Sequence, residues 1–158
     1  MVQKQITIDY LEYDSITELE EADADLLNRA IEATNSSYAP YSKFNVGAAV
    51  RLSNGEIISG SNQENAAYPS GLCAERVTLF YASAKYPDAK LMSIAVVAAK
   101  DGKVLPTSTY MCGACRQVLA EYEAKSGSKV RIIIGSATKI QLFNGIESIM
   151  PFIFDNLS

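Results

Sequence analysis

Three cysteines and a complete lack of histidine constrain this 158-residue chain more than any other feature of its sequence. Cys73 opens the run C-A-E-R (73–76), and Cys112 and Cys115 form a C-x-x-C pair further along the chain. Three thiolates can bind a zinc ion, but a structural zinc site is closed by four protein ligands. Either a carboxylate supplies the fourth ligand, or the fourth position is open to water, as in a catalytic zinc site. In both cases the fold must bring these distant segments together.

The C-x-x-C pair by itself is also typical of redox-active dithiols and of fragments of structural zinc knuckles. Cys73 favours a metal site, because a third thiol suits a shared ion and has no place in a two-cysteine exchange reaction. Glu75 lies two residues after Cys73, where its carboxylate could exchange a proton with a water in the fourth position. The simpler alternatives are a buried inert thiol at Cys73 and a solvated helix residue at Glu75.

Composition and charge indicate a globular protein that acts on something small. The chain is 48% hydrophobic, and its length predicts one domain over residues 1–158, with residues 1–20 as a candidate N-terminal strand extension. The net charge is −4 and the 14 basic residues are scattered singly, which disfavours a nucleic-acid partner and favours a small neutral substrate. No apolar run could span a bilayer and no signal peptide opens the chain, so we expect a cytoplasmic location with reduced thiols and no membrane partner.

The spacing of apolar residues predicts alternating strands and helices. The predicted strands, in chain order, are 6–10, 46–52, 56–60, 91–99, 130–134 and 140–143. The predicted helices are one that follows a capping box at Thr17-x-x-Glu20, then 73–85 and 112–125, with a last helical turn within 147–154. The pair Asn54-Gly55 predicts a tight hairpin between the second and third strands. This order indicates an α/β protein with a mixed sheet.

Both cysteine motifs begin predicted helices. Backbone N–H groups and the helix dipole favour negative charge at a helix N-terminus, so thiol pKa values fall there. Two such helix ends facing each other could share one zinc ion between Cys73 on one helix and Cys112 and Cys115 on the other.

Four motifs in order are typical of one known family. They are F-N-V-G-A-A (44–49), N-Q-E-N-A-A-Y (62–68), C-A-E-R (73–76) and C-G-A-C-R-Q (112–117). Together they resemble the cytidine deaminase family, in its small homotetrameric zinc-dependent branch, over residues 26–154. The resemblance implies a three-layer α/β/α sandwich with a mixed five-stranded sheet. It also implies hydrolysis of cytidine and deoxycytidine to uridine and deoxyuridine plus ammonia, in pyrimidine salvage.

The resemblance assigns a role to each motif residue. One zinc ion per chain would be bound by Cys73, Cys112 and Cys115, and Glu75 would carry protons between the attacking water, the pyrimidine N3 and the leaving amine. Arg76 would hydrogen-bond a ligand thiolate and offset part of the negative charge of a three-thiolate site. The implied substrate contacts are the ring of Phe44, the side chains of Asn62 and Glu64 at the ribose, the backbone N–H of Ala74, the carbonyl of Tyr110, and the ring of Phe154 from an adjacent subunit of a homotetramer with shared active sites.

The sequence departs from the family at one position and leaves other functions open. Met111 stands where the family usually has a proline before C-G-x-C, and a proline there would preset the start of the helix. The carboxylate of Glu64 near a ribose would repel a phosphate, which favours a free nucleoside over nucleotides or DNA. The alternatives are a related aminopyrimidine nucleoside deaminase of the blasticidin type and a non-catalytic zinc-binding module. The run N-Q-E-N-A (62–66) favours the plain nucleoside.

Overall fold

A mixed β-sheet forms the centre of the protein, for which a computed structural model describes residues 1–155. In that part of the chain the strands are β1 (Leu11–Tyr13), β2 (Asn45–Leu52), β3 (Ile57–Ser61), β4 (Leu91–Lys100), β5 (Lys103–Val104), β6 (Arg131–Gly135) and β7 (Ile140–Asn144). The α-helices are α1 (Glu21–Ala33), α2 (Ala74–Lys85) and α3 (Gly113–Ser126). Strand order is β1-β7-β6-β4-β2-β3, with β5 paired to the end of β4. β4 and β6 run parallel and the other pairs are antiparallel.

Helices cover both faces of the sheet, which confirms the expected three layers. On one face, Leu26, Leu27 and Ala30 of α1 pack against the central strands β2, β4 and β6. On the other face, Leu79 of α2 and Leu119 of α3 are buried against the same strands. Because α2 and α3 lie side by side on one face, their N-termini can meet. The two cysteine motifs, which begin these helices, are thereby brought together.

Strand β2 approaches α1 closely where the chain has Gly47. A Cβ atom at that position would lie 1.9 Å from the carbonyl oxygen of Ala30, so only glycine fits. The hairpin predicted from Asn54-Gly55 is confirmed, since β2 and β3 pair antiparallel and Gly55 has a φ of 85°. These features fix the position of β2, the strand that contains most of the F-N-V-G-A-A motif.

Three predictions about the sheet and the first helix were wrong. The sheet has seven strands in the described residues instead of five, because the short strands β1 and β5 join it. The N-terminal strand was predicted at 6–10 but lies at 11–13, since Ile6 and Ile8 have no core to pack on and stay exposed. Thr17 and Glu20 form no capping box. Instead, the hydroxyl of Ser15 accepts from the Thr17 N–H at 3.2 Å to cap a short 3-10 helix (Ile16–Glu18), and α1 begins after it.

The predicted last helical turn is also wrong over most of its length. A single 3-10 turn spans Ile146–Ser148, and residues 150–155 have no regular helical structure. Pro151 lacks the N–H that would continue a helix. The domain predicted over residues 1–158 includes 156–158, which lie outside the described residues.

Candidate active site

The three cysteine side chains meet where α2 and α3 begin. Cys73 is the N-cap residue of α2 and Cys112 is the N-cap residue of α3, so both motifs lie at helix N-termini as predicted. Neither side chain is used as a helix cap. Cys115 lies in the first turn of α3 and is fully buried. The sulfur atoms are therefore free to face one another instead of the backbone.

The geometry of the three sulfur atoms fits one zinc ion. The Sγ atoms of Cys73 and Cys112 are 3.8 Å apart, those of Cys112 and Cys115 are 3.4 Å apart, and all three lie within 4.8 Å of one another. Tetrahedral zinc with bonds of about 2.3 Å to sulfur places its ligands about 3.8 Å apart. Within residues 1–155, no carboxylate joins the three thiols as a fourth member of the cluster. This set of donors leaves one coordination position open, as catalytic zinc sites do.

The surroundings of Cys73 favour its thiolate form. The nearby Cys115 thiol, and then the Arg76 guanidinium, lower the pKa of Cys73 to about 5 against the opposing effect of burial. The same contact with Cys73, together with burial, raises the pKa of the Cys115 thiol. The cluster thus favours the thiolate at Cys73, and metal binding would displace the protons of the other thiols.

Arg76 lies against the cluster. Its Nη2 atom is 3.8 Å from the Sγ of Cys73, close to the thiolate contact that the family resemblance implies. Its Nε atom is buried and has no hydrogen-bond partner among the described residues. A buried unpaired donor is costly unless an anionic group lies near it. A cluster of ligand thiolates is such a group, so the position of Arg76 also fits a zinc site.

Glu75 reaches the same place from the first turn of α2. The residue is 4% exposed, yet it lines the pocket in front of the thiols. Burial, and then the negative charge of Cys73, raise the pKa of its carboxyl group above the ordinary value. A carboxyl group that gains and loses its proton closer to neutral pH is better suited to carry protons in catalysis.

A pocket of about 690 Å³ opens in front of the sulfur atoms of Cys73 and Cys112. It brings together most of the residues that the resemblance assigned to the substrate. The predicted residues that line it are Phe44, Asn62, Glu64, Tyr110, Cys73, Glu75, Arg76 and Cys112. Its volume lies within the range of small-molecule binding sites.

Sequence reasoning missed part of the pocket wall. The additional lining side chains include Tyr41, Ser42, Tyr68, Leu72 and Thr109. The rings of Tyr41 and Tyr68 meet edge to face, with centroids 6.3 Å apart. Tyr68 ends the N-Q-E-N-A-A-Y motif, so its place in that motif was the available signal.

The side chains of Asn62 and Glu64 both make hydrogen bonds to neighbouring residues of the same chain. The amide of Asn62 donates to the Phe44 carbonyl at 2.8 Å and accepts from the Val46 N–H at 2.8 Å. The carboxylate of Glu64 accepts from the Tyr41 N–H at 2.9 Å, and also from the hydroxyl of Ser42. The Ser42 hydroxyl is the main cause of the lowered pKa of Glu64. These residues therefore hold the pocket loop in place, in addition to facing the pocket.

Three predicted residues do not line this pocket. Cys115 lies behind it in the core, and Ala74 is buried at the start of α2. Phe154 is 69% exposed and is absent from the pocket wall of its own chain. Its backbone carbonyl accepts a hydrogen bond from Gln117 Nε2 at 2.7 Å, which ties the C-terminal segment to α3.

Met111, which stands where the family usually has a proline, directly precedes the N-cap residue of α3. Its side chain is 2% exposed and packs in the core beside α3. Its carbonyl accepts a hydrogen bond from Arg116 Nε at 2.8 Å, and another N–H of that guanidinium donates to the Ile149 carbonyl. The Arg116 guanidinium thus joins the residue before the α3 N-cap to the segment that follows the last 3-10 turn.

Comparison with known proteins agrees with this geometry. The family profile described as "Cytidine and deoxycytidylate deaminase zinc-binding region" matches residues 20–128. A cytidine deaminase of Halalkalibacterium halodurans is 46% identical over 98 residues, which cover 61% of this chain and 68% of that protein. One from Sporosarcina psychrophila is 43% identical over 97 residues, covering 61% and 67% of the two chains.

Solved structures give the same result over more of the chain. The crystal structure of cytidine deaminase from Burkholderia pseudomallei aligns with a TM-score of 0.69 at 30% identity and covers 86% of this chain and 100% of its own. That from Mycobacterium tuberculosis aligns with a TM-score of 0.66 at 29% identity and covers 87% and 99%.

An open three-thiolate site with a buried glutamate beside it, at the N-termini of two helices on a mixed sheet, defines an enzyme of the zinc-dependent deaminase class. The sequence and structural matches carry this one step further. The chain belongs to the cytidine and deoxycytidylate deaminase family. Among its described residues, no helix is long and apolar enough to cross a membrane.

Proposed function

We propose that this enzyme hydrolyses cytidine and deoxycytidine to uridine and deoxyuridine with release of ammonia, a reaction of pyrimidine salvage. One observation carries the proposal: three clustered thiols leave one coordination position open, and two of them, Cys73 and Cys112, line with Glu75 a pocket that would hold a nucleoside. The names of the relatives agree with this activity.

The side chains of the site would have different roles in the reaction. Cys73, Cys112 and Cys115 would bind one zinc ion, which supplies a Lewis acid that makes a water molecule nucleophilic at neutral pH. Glu75 would take a proton from that water and deliver it to the pyrimidine N3. As the water oxygen bonds to C4, the second proton of that water would pass through Glu75 to the exocyclic amine, which would leave as ammonia when the bond from C4 to nitrogen breaks and the C4 carbonyl forms. Arg76 would limit the negative charge on the thiolates.

The remaining pocket residues would bind the nucleoside. The Phe44 ring would pack on the base, while the Ala74 N–H and the Tyr110 carbonyl would hydrogen-bond its polar edge. Asn62 and Glu64 would bind the ribose hydroxyls, in addition to the backbone contacts that they make in the pocket loop. A carboxylate at that place would disfavour a phosphorylated ribose.

A direct assay tests the proposed function. Purified zinc-loaded protein should convert cytidine and deoxycytidine, with the loss of ultraviolet absorbance that accompanies deamination, and should convert dCMP far more slowly. Zinc content should be about one per chain. Active protein without zinc would contradict the mechanism, and zinc-loaded protein inactive on both nucleosides would contradict the substrate.

Replacing Glu64 tests its role at the ribose. Glu64→Ala should raise the KM for cytidine about 10- to 100-fold, the usual loss for one hydrogen bond to a charged group. It should also reduce the discrimination against dCMP. Because the Ser42 hydroxyl lowers the pKa of Glu64, the charged form persists at neutral pH and is lost only as the pH falls below the ordinary value of the carboxyl group. The effect of the substitution should therefore be full at neutral pH.

Glu56→Ala is the control for Glu64→Ala. Glu56 is an exposed glutamate in the β2–β3 hairpin turn, and its side chain makes no hydrogen bond within residues 1–155. This variant should keep the wild-type KM. A Glu64→Ala enzyme with unchanged KM for cytidine would show that Glu64 only holds the loop.

We further infer that the enzyme is a homotetramer whose active sites are shared between subunits. The family resemblance supports this, and so do the aromatic side chains of the pocket wall and of the C-terminal segment that a single chain leaves exposed. These are Tyr41, Tyr68, Phe152 and Phe154, which are between 51% and 83% exposed. Large exposed apolar clusters commonly mark an interface between proteins.

Subunit mixing tests the shared site. A Glu75→Gln chain and a Phe154→Ala chain, each inactive or weak alone, should regain activity when exchanged into mixed oligomers, because Phe154 of one chain would complete the site of another. Mass measurement must first confirm that mixed oligomers form. If the mixed oligomers are no more active than the two parent proteins, Phe154 acts within its own subunit and the shared-site proposal is wrong.

Two predictions from the sequence stay as proposals. We propose that the chain is one domain, supported by the single sheet that residues 11–144 build. A cytoplasmic location is supported by the requirement that three thiols stay reduced to bind metal.

A further inference from the structure

The irregular segment 105–112 connects β5 to α3 and carries Tyr110 and Thr109 into the pocket. Its last residue is the zinc-ligand candidate Cys112. Backbone-to-backbone hydrogen bonds join its first residue, Leu105, to Ala98 and Ala137, but residues 107–111 make none among the described residues, so their positions depend on side-chain contacts. The contact that holds Tyr110 therefore bears directly on the shape of the substrate pocket.

Tyr110 is tied to the sheet through one buried amide. Its hydroxyl donates to Gln141 Oε1 on β7 at 2.6 Å. Gln141 is 8% exposed, and its Nε2 donates to Glu12 Oε2 on β1 at 3.0 Å. Both ends of the Gln141 side chain are thus engaged, and an amide fixed at one end orients the group bonded to the other.

Strand β1 is held on that face of the sheet by its own contacts. Glu12 pairs with Lys139, and Tyr10, the residue before β1, stacks on Phe143 with ring centroids 5.1 Å apart. Phe143 belongs to the core cluster on which α2 and α3 pack. The N-terminal segment therefore contacts the face of the sheet that carries the zinc cluster. This segment precedes residue 20, where the family match begins.

We propose that Tyr110 is a positioning residue and that β1 sets the affinity for the nucleoside through the contacts from Glu12 to Gln141 to Tyr110. The proposal rests on the proposed function, because its effect is on nucleoside binding. Glu12 orients the Gln141 amide, the amide holds the Tyr110 hydroxyl, and the hydroxyl fixes the pocket segment next to Cys112. Glu75 and the thiols lie outside this set of contacts, so the chemical step should be little affected.

Removing one hydroxyl tests the first contact. Tyr110→Phe should raise the KM for cytidine about three- to tenfold, the usual effect of one hydrogen bond, with kcat within about twofold of wild type. Zinc content and Tm should stay near the wild-type values. The matched control is Tyr13→Phe. Tyr13 lies on the same strand as Glu12 but packs on the α1 side of the sheet, and its hydroxyl has no hydrogen-bond partner among the described side chains. The control should keep the wild-type KM.

A double substitution tests whether Glu12 acts through Tyr110. Glu12→Ala alone should raise KM by a smaller factor, and Glu12→Ala combined with Tyr110→Phe should match Tyr110→Phe alone. Effects that multiply would show that Glu12 acts by another route and would overturn the proposal. An unchanged KM in Tyr110→Phe would also overturn it. A wild-type chain without cytidine turnover would instead contradict the proposed function, so the two failures are distinguishable.

Discussion

Glu75→Gln should lower kcat by about 100- to 10,000-fold, the usual contribution of one general acid–base group, while zinc content and Tm stay near wild type. Glutamine has the same shape as glutamate but cannot accept and return a proton at neutral pH. Glu75 is 4% exposed, so its uncharged replacement fits the buried site at least as well as the carboxylate does. The KM for cytidine should change much less than kcat, because the proposed role of Glu75 is in the reaction itself.

Glu21→Gln is the matched control for Glu75→Gln. Glu21 also lies in the first turn of a helix, but it is exposed on α1, on the opposite face of the sheet. It therefore reports any effect of losing a negative charge near a helix N-terminus. Near-normal turnover in Glu75→Gln would show that another group carries the protons. Loss of zinc from Glu75→Gln would make Glu75 a fourth ligand and favour the non-catalytic zinc module.

The metal cluster could be predicted from the sequence because its determinants are local. Cys73 and Cys112 each precede a helix that its apolar spacing predicts, and Cys115 follows Cys112 by less than one turn. A shared metal site was the favoured use of these residues, since a third thiol has no place in a two-cysteine redox pair and the chain has no histidine to complete a closed structural zinc site. The structure adds the distances of 3.8 and 3.4 Å, which no residue pattern could provide.

The ends of the chain were predicted poorly because tertiary contacts determine them. Ile6 and Ile8 alternate as in a strand, but the neighbouring strand β7 pairs with 11–13 instead. Thr17 was predicted to cap the first α-helix, but Ser15 caps a separate 3-10 helix before it, and α1 begins after Glu20 without a side-chain cap. At the other end, apolar residues after 148 suggested a helix, whereas Arg116 and Gln117 of α3 hold that segment by its carbonyl groups.

The pocket walls illustrate the same limit. Phe44, Asn62 and Glu64 were found because they lie in motifs that resemble a known family. Gln141 was not, because it lies in a strand whose pattern indicates only burial. Its contact with Tyr110 joins residues 31 positions apart, and its contact with Glu12 joins residues 129 positions apart. Such a connection depends on strand order, which the sequence pattern does not determine.

Replacing any one of Cys73, Cys112 or Cys115 with alanine should remove both zinc and activity. Two remaining thiolates cannot compete for zinc as three can, and the described residues offer no histidine or clustered carboxylate as a substitute. Zinc at about 100 times its Kd adds about 2.7 kcal/mol to the free energy of unfolding, which corresponds to roughly 5–10 °C in Tm for a domain of this size. Each variant should therefore unfold at lower temperature than the zinc-loaded wild type. Metal analysis and thermal unfolding measure this without depending on turnover.

Ser108→Ala provides the control for the cysteine variants, because it removes a small polar group from the segment before Cys112 without touching the cluster. It should keep zinc, Tm and activity. Chelation of the wild type should reproduce the cysteine variants, expose three titratable thiols per chain, and be reversed by added zinc. A disulfide between Cys112 and Cys115 in the active protein would contradict the zinc site, because a disulfide leaves only Cys73 as a thiolate. Full activity in a Cys73→Ala chain would contradict it equally, since the third thiol would then not be needed for the reaction.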